Sequence, residues 1–506
     1  MKRHTLYKAS AASLLLVLLL QGCGGSGSSS TAATSQVANG VVTGFGSVFV
    51  DGSEIEDANA SVVTENADGS TTNSVLQMGQ RIRVNHDGKG TASKVTVDAA
   101  VIGSVSAVGT TTLTVAGQSV SINTDSTAGP LTVWGGGYSS ISDVTLNDLV
   151  EVHGSPVYDS TTSSYKVVAT RVQKMTAISS IKVNGKISNI NTTAKTFSLN
   201  GLTVAYASAT LRPTGATLAN DLLVTAYGPA IDPNDTTLTA SNIKVNRLQD
   251  STATDTTAQV GGQVTLYNSS AKTFEVQGVK VAMSSSTTVT PTNATVANNA
   301  YVKVSGTVGT DGSISATNIQ VREQNTSSDL AVVKLIGVIS DFVNNSSFVV
   351  RGIPVDASGI DLTTSCPNVT LANDVPVQIT ATQQANTSVV LATEMKCRSA
   401  SSTDIRPVDG VISSVDSTAK TFVLTPTRGT AQTVQWTDNT TFVGGITAAT
   451  LSPTTQKVRV EGYLNGTTLV ARVVSTASAG LDNHDFEDRD GGTNTNRWNT
   501  YRNNHH

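Results

Sequence analysis

Side chains that could act as a general base are scarce in this sequence of 506 residues. Of its six histidines, only His86 and His153 lie in the strand-rich part of the chain, in different repeats. A Ser-His-Asp site needs a histidine held by an acid beside a nucleophile, and no Gly-x-Ser-x-Gly elbow occurs. His86 is followed by Asp87 and Gly88, which is typical of a hairpin turn. We therefore predict no catalytic residue and a non-enzymatic protein.

Carboxylates are the other group that could support chemistry. Glu54 and Glu56 are two residues apart and would share one strand face, as a glycosidase pair could. We interpret them as a solvated edge. Acidic stretches at residues 231–236 and 481–492 could hold a weak divalent ion, but the first lacks the glycine and glutamate of a calcium loop. We interpret the second as a disordered charged tail, and expect no metal and no cofactor.

Composition and charge exclude several classes of protein. The formal net charge is −4, with 14% charged and 4% aromatic residues. A mildly acidic chain lacks the basic footprint that binds nucleic acid, so we expect no nucleic-acid partner. A single apolar run, at the N-terminus, excludes a protein with many membrane-spanning helices.

The N-terminus has the features of a targeting signal. Residues 1–22 have a basic start and a short leucine-rich core, which predicts a secretory signal peptide. Leu20-Gln21-Gly22-Cys23 resembles a bacterial lipobox, and the resemblance implies cleavage before Cys23 and its acylation, including palmitate. Residues 23–39 would then be the acylated cysteine and a flexible Gly/Ser tether. Gly24 in place of aspartate implies, by resemblance to Gram-negative lipoproteins, the outer membrane. The alternative is an ordinary signal peptide with a chance cysteine.

A repeated β-hairpin organises the rest of the chain. An x-Gly pair stands between alternating apolar residues, which indicates the primed turns that match strand twist. It occurs at residues 48–55, 113–120, 197–204, 274–281 and 348–355. A polar turn leading into a second strand and a closing strand also recur. Together they predict six modules, numbered 1 to 6, at residues 40–100, 101–176, 181–248, 258–323, 331–399 and 405–475, before a tail at 476–506.

The predicted fold class is all-β, with six tandem small antiparallel β-barrels or β-sandwiches in an elongated arrangement. Alternation with a period of two means that one face of each strand is buried. Val, Ile and Thr suit strands because their branched Cβ packs on the pleat. Short polar linkers between the modules predict a beaded rod, in which neighbours pack end to end or share a strand.

Two pairs of residues in the modules are candidate sites. Cys366 and Cys397 both lie in module 5, and in an oxidising envelope two thiols in one small module should form a disulfide. The alternative is two buried free thiols. Trp134 and Tyr138 flank an insertion in module 2 and are the candidate ligand contacts. The alternative for them is a packed loop.

The opening of module 1 carries a family resemblance. Residues 44–50, Gly-Phe-Gly-Ser-Val-Phe-Val, and the following Asp-Gly resemble the start of the bacterial domain of unknown function 5666 family. Later modules match it more weakly, in the x-Gly hairpin and the second strand. Such proteins often begin with a signal or lipobox and carry tandem modules. The resemblance implies no catalytic residue.

These observations together predict a cell-envelope lipoprotein, anchored to the outer membrane of a Gram-negative bacterium through lipid on Cys23. Its repeats would act as a scaffold or an adhesin-like rod whose partner is an envelope protein or a glycan. Near-duplicate modules favour weak repeated binding. The alternative function is an array of ligand-binding β-barrels that takes an oligosaccharide or another extracellular ligand.

Overall fold

The computed structural model describes residues 36–229, 237–248, 257–322, 332–398, 405–426, 430–455 and 457–476. The predicted signal peptide, Cys23, residues 231–236 and the acidic tail lie outside them. The described chain is all-β apart from short helical turns, α1 (Leu362–Ser365) and a 3-10 turn (Ile141–Asp143), which confirms the predicted class. In these ranges no helix has the length and apolar character needed to cross a membrane.

Each of the first three modules starts with a long strand, continues with the x-Gly hairpin and ends with two further paired strands. Module 1 contains β1 (Gln36–Phe45), β2 (Val48–Val50), β3 (Ser53–Ile55), β4 (Ser61–Glu65), β5 (Thr71–Asn73), β6 (Arg81–His86) and β7 (Ala92–Val97). Module 2 contains β8 (Val101–Val108), β9 (Thr112–Val115), β10 (Gln118–Ile122), β11 (Val133–Gly135), β12 (Leu149–Asp159) and β13 (Ser164–Lys174). Module 3 contains β14 (Ile181–Asn191), β15 (Thr196–Leu199), β16 (Leu202–Ala205), β17 (Thr210–Arg212), β18 (Leu223–Gly228), β19 (Thr237–Thr239) and β20 (Asn242–Val245).

The last three modules follow the same order. Module 4 contains β21 (Thr257–Asn268), β22 (Thr273–Val276), β23 (Val279–Ala282), β24 (Thr288–Thr290), β25 (Tyr301–Val308) and β26 (Ile314–Arg322). Module 5 contains β27 (Val332–Asn344), β28 (Ser347–Val350), β29 (Ile353–Asp356), α1, β30 (Pro376–Gln383) and β31 (Val390–Cys397). Module 6 contains β32 (Arg406–Asp416), β33 (Thr421–Pro426), β34 (Gln432–Gln435), β35 (Thr441–Val443), β36 (Val458–Asn465) and β37 (Thr468–Thr476).

The x-Gly turns have the predicted backbone conformation. Asn200 and Gly201 have φ angles of 49° and 93°, and Asp51 and Gly52 have 46° and 77°. Positive φ at both central residues defines the primed turn that matches the twist of a two-stranded hairpin. The prediction of primed turns is therefore confirmed at these hairpins.

The strands of a module pair in a closed ring. In module 2 the order is β8, β9, β10, β13, β12 and back to β8. Modules 3 to 6 repeat this order. The prediction of a purely antiparallel module is wrong, because one pair in the ring is parallel: β10 with β13 in module 2, and β29 with β31 in module 5. Closure pairs the backbone groups that an open edge would expose.

The sequence predicted discrete barrels or sandwiches, and this prediction is wrong. Strands of modules 1, 4 and 5 join in one 18-stranded sheet, and those of modules 2 and 3 join in a 13-stranded sheet. The link between modules 2 and 3 is antiparallel and pairs Val101 with Val183. Buried residues of modules 2 and 3 also form one apolar core, and those of modules 1 and 5 another.

The predicted beaded row is also wrong, because module 1 contacts each of the other five modules. β1 pairs in parallel with β21 of module 4 and with β27 of module 5. Arg81 bonds to His153 of module 2, and Arg212 of module 3 bonds to Glu65. Arg472 of module 6 donates to the backbone oxygen of Asp57 at 3.1 Å. Module 1 is therefore the common neighbour of all the others.

Candidate functional site

The predicted ligand contacts, Trp134 and Tyr138, lie in the core of module 2. Their exposed fractions are 6% and 3%, and their rings meet edge to face with centroids 6.4 Å apart. The Tyr138 hydroxyl donates to Asp148 at 2.6 Å, and the Lys174 ammonium lies 5.5 Å from the ring centroid. Burial, followed by this hydrogen bond, raises the pKa of Tyr138. The insertion is a packed loop, so neither ring offers the exposed face that a glycan would need.

The structure joins Cys366 and Cys397 in a disulfide across 31 residues of module 5. Cys366 follows α1 and is 2% exposed, while Cys397 ends β31. The bond therefore ties the loop after the helical turn to the closing strand of the ring.

Removing this disulfide should destabilise the protein measurably. For a loop of this size, chain entropy gives about 3–4 kcal/mol. In a Cys23→Ser background, the Cys366→Ala/Cys397→Ala variant should unfold at lower denaturant than its parent. The denatured parent should take up alkylating reagent at these two cysteines only after reduction. Two labels without reduction, or an unchanged midpoint, would contradict the bond.

The two strand-region histidines occupy different surroundings. His153 is fully buried in β12, where its Nε2 lies 2.7 Å from Glu151 Oε1 and its Nδ1 accepts the Arg81 backbone N–H. His86 accepts the Gly88 backbone N–H in its turn, and burial lowers its pKa. His153 therefore belongs to the contact between modules 1 and 2.

Glu54 and Glu56 share one hydroxyl group. The Ser47 hydroxyl lies 3.1 Å from Glu54 Oε1 and 3.3 Å from Glu56 Oε2, and Glu56 also accepts the Ala58 backbone N–H. Both carboxylates stay at the exposed edge of module 1. Among the described residues no cluster of three His, Cys, Asp or Glu side chains could hold a metal ion.

A charged cluster joins modules 1 and 3. Asp98, just after β7, accepts from Arg81 and from Lys182, each at 2.8 Å. Burial alone would raise the pKa of Asp98, but Lys182 and Arg81 hold it well below its usual range. Burial alone would lower the pKa of Lys182, which is 4% exposed, but Asp98 outweighs it and the pKa is raised. This Asp98 cluster is an ion triad between modules 1 and 3, in which the two cations are buried or nearly so and the Asp98 side chain is 30% exposed.

Two further carboxylates connect module 3 to its neighbours. Glu65 of module 1 accepts from Arg212 at 2.8 Å and from Lys244. Glu275 of module 4 accepts from Lys186 at 2.5 Å and from the Tyr165 hydroxyl of module 2 at 2.8 Å. Each carboxylate thus binds two donors that come from outside its own module.

A buried carboxylate lies between modules 1 and 4. Asp51, the first residue of an x-Gly turn, is 5% exposed and accepts the Tyr301 hydroxyl at 2.8 Å. Arg322 donates to the Asp51 backbone oxygen, and Lys303 to Ser53 at 2.9 Å. Burial raises the pKa of Asp51 to about 6, against the opposing effect of Tyr301. The carboxylate therefore titrates near neutral pH inside this junction.

Sequence reasoning did not find these junction residues, although a signal exists. Asp51 is charged where module 2 has Ala116 at the same place in the turn. Lys182 stands where module 2 has Ala100, counting back from the glycine of each first strand. A charge present in one copy and absent from another marks a residue used between modules rather than within one.

Comparison with known proteins gives a family resemblance. Residues 102–173, 261–320 and 409–475 match the family model described as Domain of unknown function (DUF5666). These stretches lie in modules 2, 4 and 6, whereas the sequence resemblance is strongest in module 1. No curated protein matches the chain.

Proposed function

On the premise that the chain is a tandem-repeat protein similar to this family, we propose that it is a non-enzymatic interaction scaffold of the cell envelope. Lipid on Cys23 would anchor it to the outer membrane of a Gram-negative bacterium, with an envelope protein or a glycan as partner. The lipobox-like sequence and the Gly/Ser stretch after it support this address. The second candidate, an array of ligand-binding barrels, loses Trp134 and Tyr138 as contacts because both are buried.

The contact of module 1 with every other module supports the scaffold role most directly. Buried ion pairs hold the modules in fixed relative positions, so several module faces are presented to a partner at once. Weak contacts made simultaneously by linked sites bind more strongly than any one of them. In this proposal each strand ring is a small barrel joined to its neighbours, and the joined modules act together as the adhesin-like part of the protein.

Changing Cys23 to serine should release the protein from the membrane fraction. Without the thiol no thioether-linked lipid can form, and several acyl chains are what give stable anchoring. Membranes and soluble fractions would be compared by immunoblot, with Ser28→Ala as the control that keeps the cysteine. Equal membrane retention of both variants would contradict the lipid anchor.

Protease added to intact cells then separates the two faces of the envelope. Release of fragments from residues 40–475 would place the scaffold on the outside and favour adhesion. Protection until the outer membrane is ruptured would place it in the periplasm and favour assembly of envelope proteins.

A further inference from the structure

A cleft opens where modules 1, 5 and 6 meet. Its cavity is about 70 Å³, large enough for a small molecule or several waters. Apolar side chains line one part of the cleft. Arg351 and Arg472 line the other part together with Asp57 and Glu461. We call it the arginine cleft. It uses none of the residues that the sequence predicted as a site.

Among the described residues, neither arginine of this cleft has a carboxylate oxygen within hydrogen-bonding distance. Arg472 lies 3.8 Å from the nearest Asp57 carboxylate oxygen, and its hydrogen bond goes to the Asp57 backbone oxygen instead. Arg351 has a buried Nη1 atom without a hydrogen-bond partner. Other junctions differ: Arg81 and Arg212 both meet a carboxylate at 2.8 Å. An unpaired buried guanidinium N–H is costly, and a ligand anion would satisfy it.

The surroundings restrict the charge of such a ligand. Arg459 adds a third cation, with its Nε 3.7 Å from Glu461. Burial lowers the pKa of Arg351, with Glu461 opposing the fall. The three guanidinium groups outnumber the carboxylates of Asp57 and Glu461 by one charge, which a monoanion would balance and a dianion such as phosphate would exceed. Phe45, Leu76 and Val473 give the cleft an apolar wall that suits a short hydrocarbon body.

We propose that the arginine cleft binds a small monocarboxylate, with the carboxylate on Arg351 and Arg472 and its hydrocarbon part against Phe45, Leu76 and Val473. Arginine donors form two parallel hydrogen bonds to a carboxylate in a way that a lysine cannot. This is a binding role for the joined modules, and it does not depend on the lipid anchor or on the face of the envelope.

Calorimetric titration of the full chain with butyrate tests the proposal, with butyramide and inorganic phosphate as matched probes. Butyrate should bind with a dissociation constant on the order of 1 mM, and butyramide should not bind at about ten times that concentration. Equal binding of butyramide would show that the cleft does not recognise the carboxylate charge, and would contradict the proposal. Stronger binding of phosphate would overturn the assigned class, and no heat from butyrate would overturn the site.

Variants then locate the binding. Arg472→Gln should weaken butyrate binding at least roughly tenfold, since it removes a charge-assisted hydrogen bond. Arg406→Gln is the control, because Arg406 pairs with Asp374 at 2.7 Å and does not line the cleft. Circular dichroism would verify that both variants fold. Equal affinity of the two variants for butyrate would contradict the assignment of the site. If Arg472→Gln does not fold, the comparison of butyrate with butyramide on the parent protein still tests the proposal.

Discussion

Changing Asp98 to asparagine should lower the free energy of unfolding at pH 7 by about 2–4 kcal/mol, a little less than the usual loss for a fully buried ion pair, because the Asp98 side chain is 30% exposed. Asparagine has nearly the same shape but no charge. Lys182, whose side chain is 6% exposed, and Arg81, at 12%, would keep their charges without a counter-ion. Urea unfolding followed by circular dichroism would measure the loss as a shift in midpoint.

Two comparisons make this result specific to the Asp98 cluster. Asp159→Asn removes a carboxylate that pairs with Lys166 at 3.0 Å within one hairpin, and should change the midpoint much less. Asp98→Asn/Lys182→Met removes both charges and should recover part of the loss, because no ammonium stays buried alone. An Asp98→Asn variant no less stable than Asp159→Asn would show that the junction of modules 1 and 3 does not depend on this cluster.

The Asp51→Asn variant should be more stable than the parent above pH 7 and equal to it near pH 4. The carboxylate has a pKa of about 6 in the folded protein and 3.8 as its ordinary value. Because the folded protein holds the Asp51 proton more tightly than the unfolded chain does, the contribution of Asp51 to the stability of the folded state is largest below pH 3.8. This contribution to stability is lost as the pH rises from 3.8 through about 6. The difference of about two pH units corresponds to about 3 kcal/mol at pH 8.

Asparagine resembles the protonated form of Asp51, since its amide nitrogen replaces Oδ2, a buried atom that has no hydrogen-bond partner in the parent either. Asparagine suits the positive φ of the turn, and its side-chain oxygen can still accept from Tyr301. Arg322 and Lys303 keep their bonds to the Asp51 backbone and to Ser53.

A second variant should change the stability above pH 7 in the opposite direction. Tyr301→Phe removes a donor that lowers the pKa of Asp51, so the pKa of Asp51 in the folded protein should rise. The stability that is lost as pH rises should then be larger, and the loss should continue to higher pH. Unfolding of parent, Asp51→Asn and Tyr301→Phe would be measured from pH 4 to 8. Three parallel curves would contradict a buried titrating carboxylate.

Local patterns in the sequence were enough to predict what lies within a module. The x-Gly pairs predicted primed hairpins, since residues such as Asn200 and Gly201 adopt the positive φ that these turns require. Alternation predicted that one face of each strand is buried, and Phe197 and Leu199 lie on such a face. These features depend on a few neighbouring residues and are repeated, so each copy supports the others. Placing Cys366 and Cys397 in one module had the same basis.

The arrangement of the modules could not be predicted in this way. The contacts of Asp51 with Tyr301 and of Asp57 with Arg472 join residues 250 and 415 positions apart. These contacts use side chains that differ from one module to the next, so a pattern based on what the modules share cannot reveal them. Short linkers predicted a row for the same reason, because a repeat pattern says nothing about which non-adjacent copies pair. The burial of Trp134 depends on Tyr138 and the loop around it, in an insertion that no other module has.

Zero-length carbodiimide cross-linking followed by mass spectrometry tests most directly whether the modules are joined as described. The reagent links a carboxylate to a lysine amine in direct contact, with loss of water. We expect cross-linked peptides that join Lys244 to Glu65, which are 179 residues apart, and Lys186 to Glu275, which are 89 apart. Lys166 and Asp159, 3.0 Å apart within module 2, provide the internal control. Recovery of the control link without either inter-module link would contradict the joined modules and restore the row of separate ones.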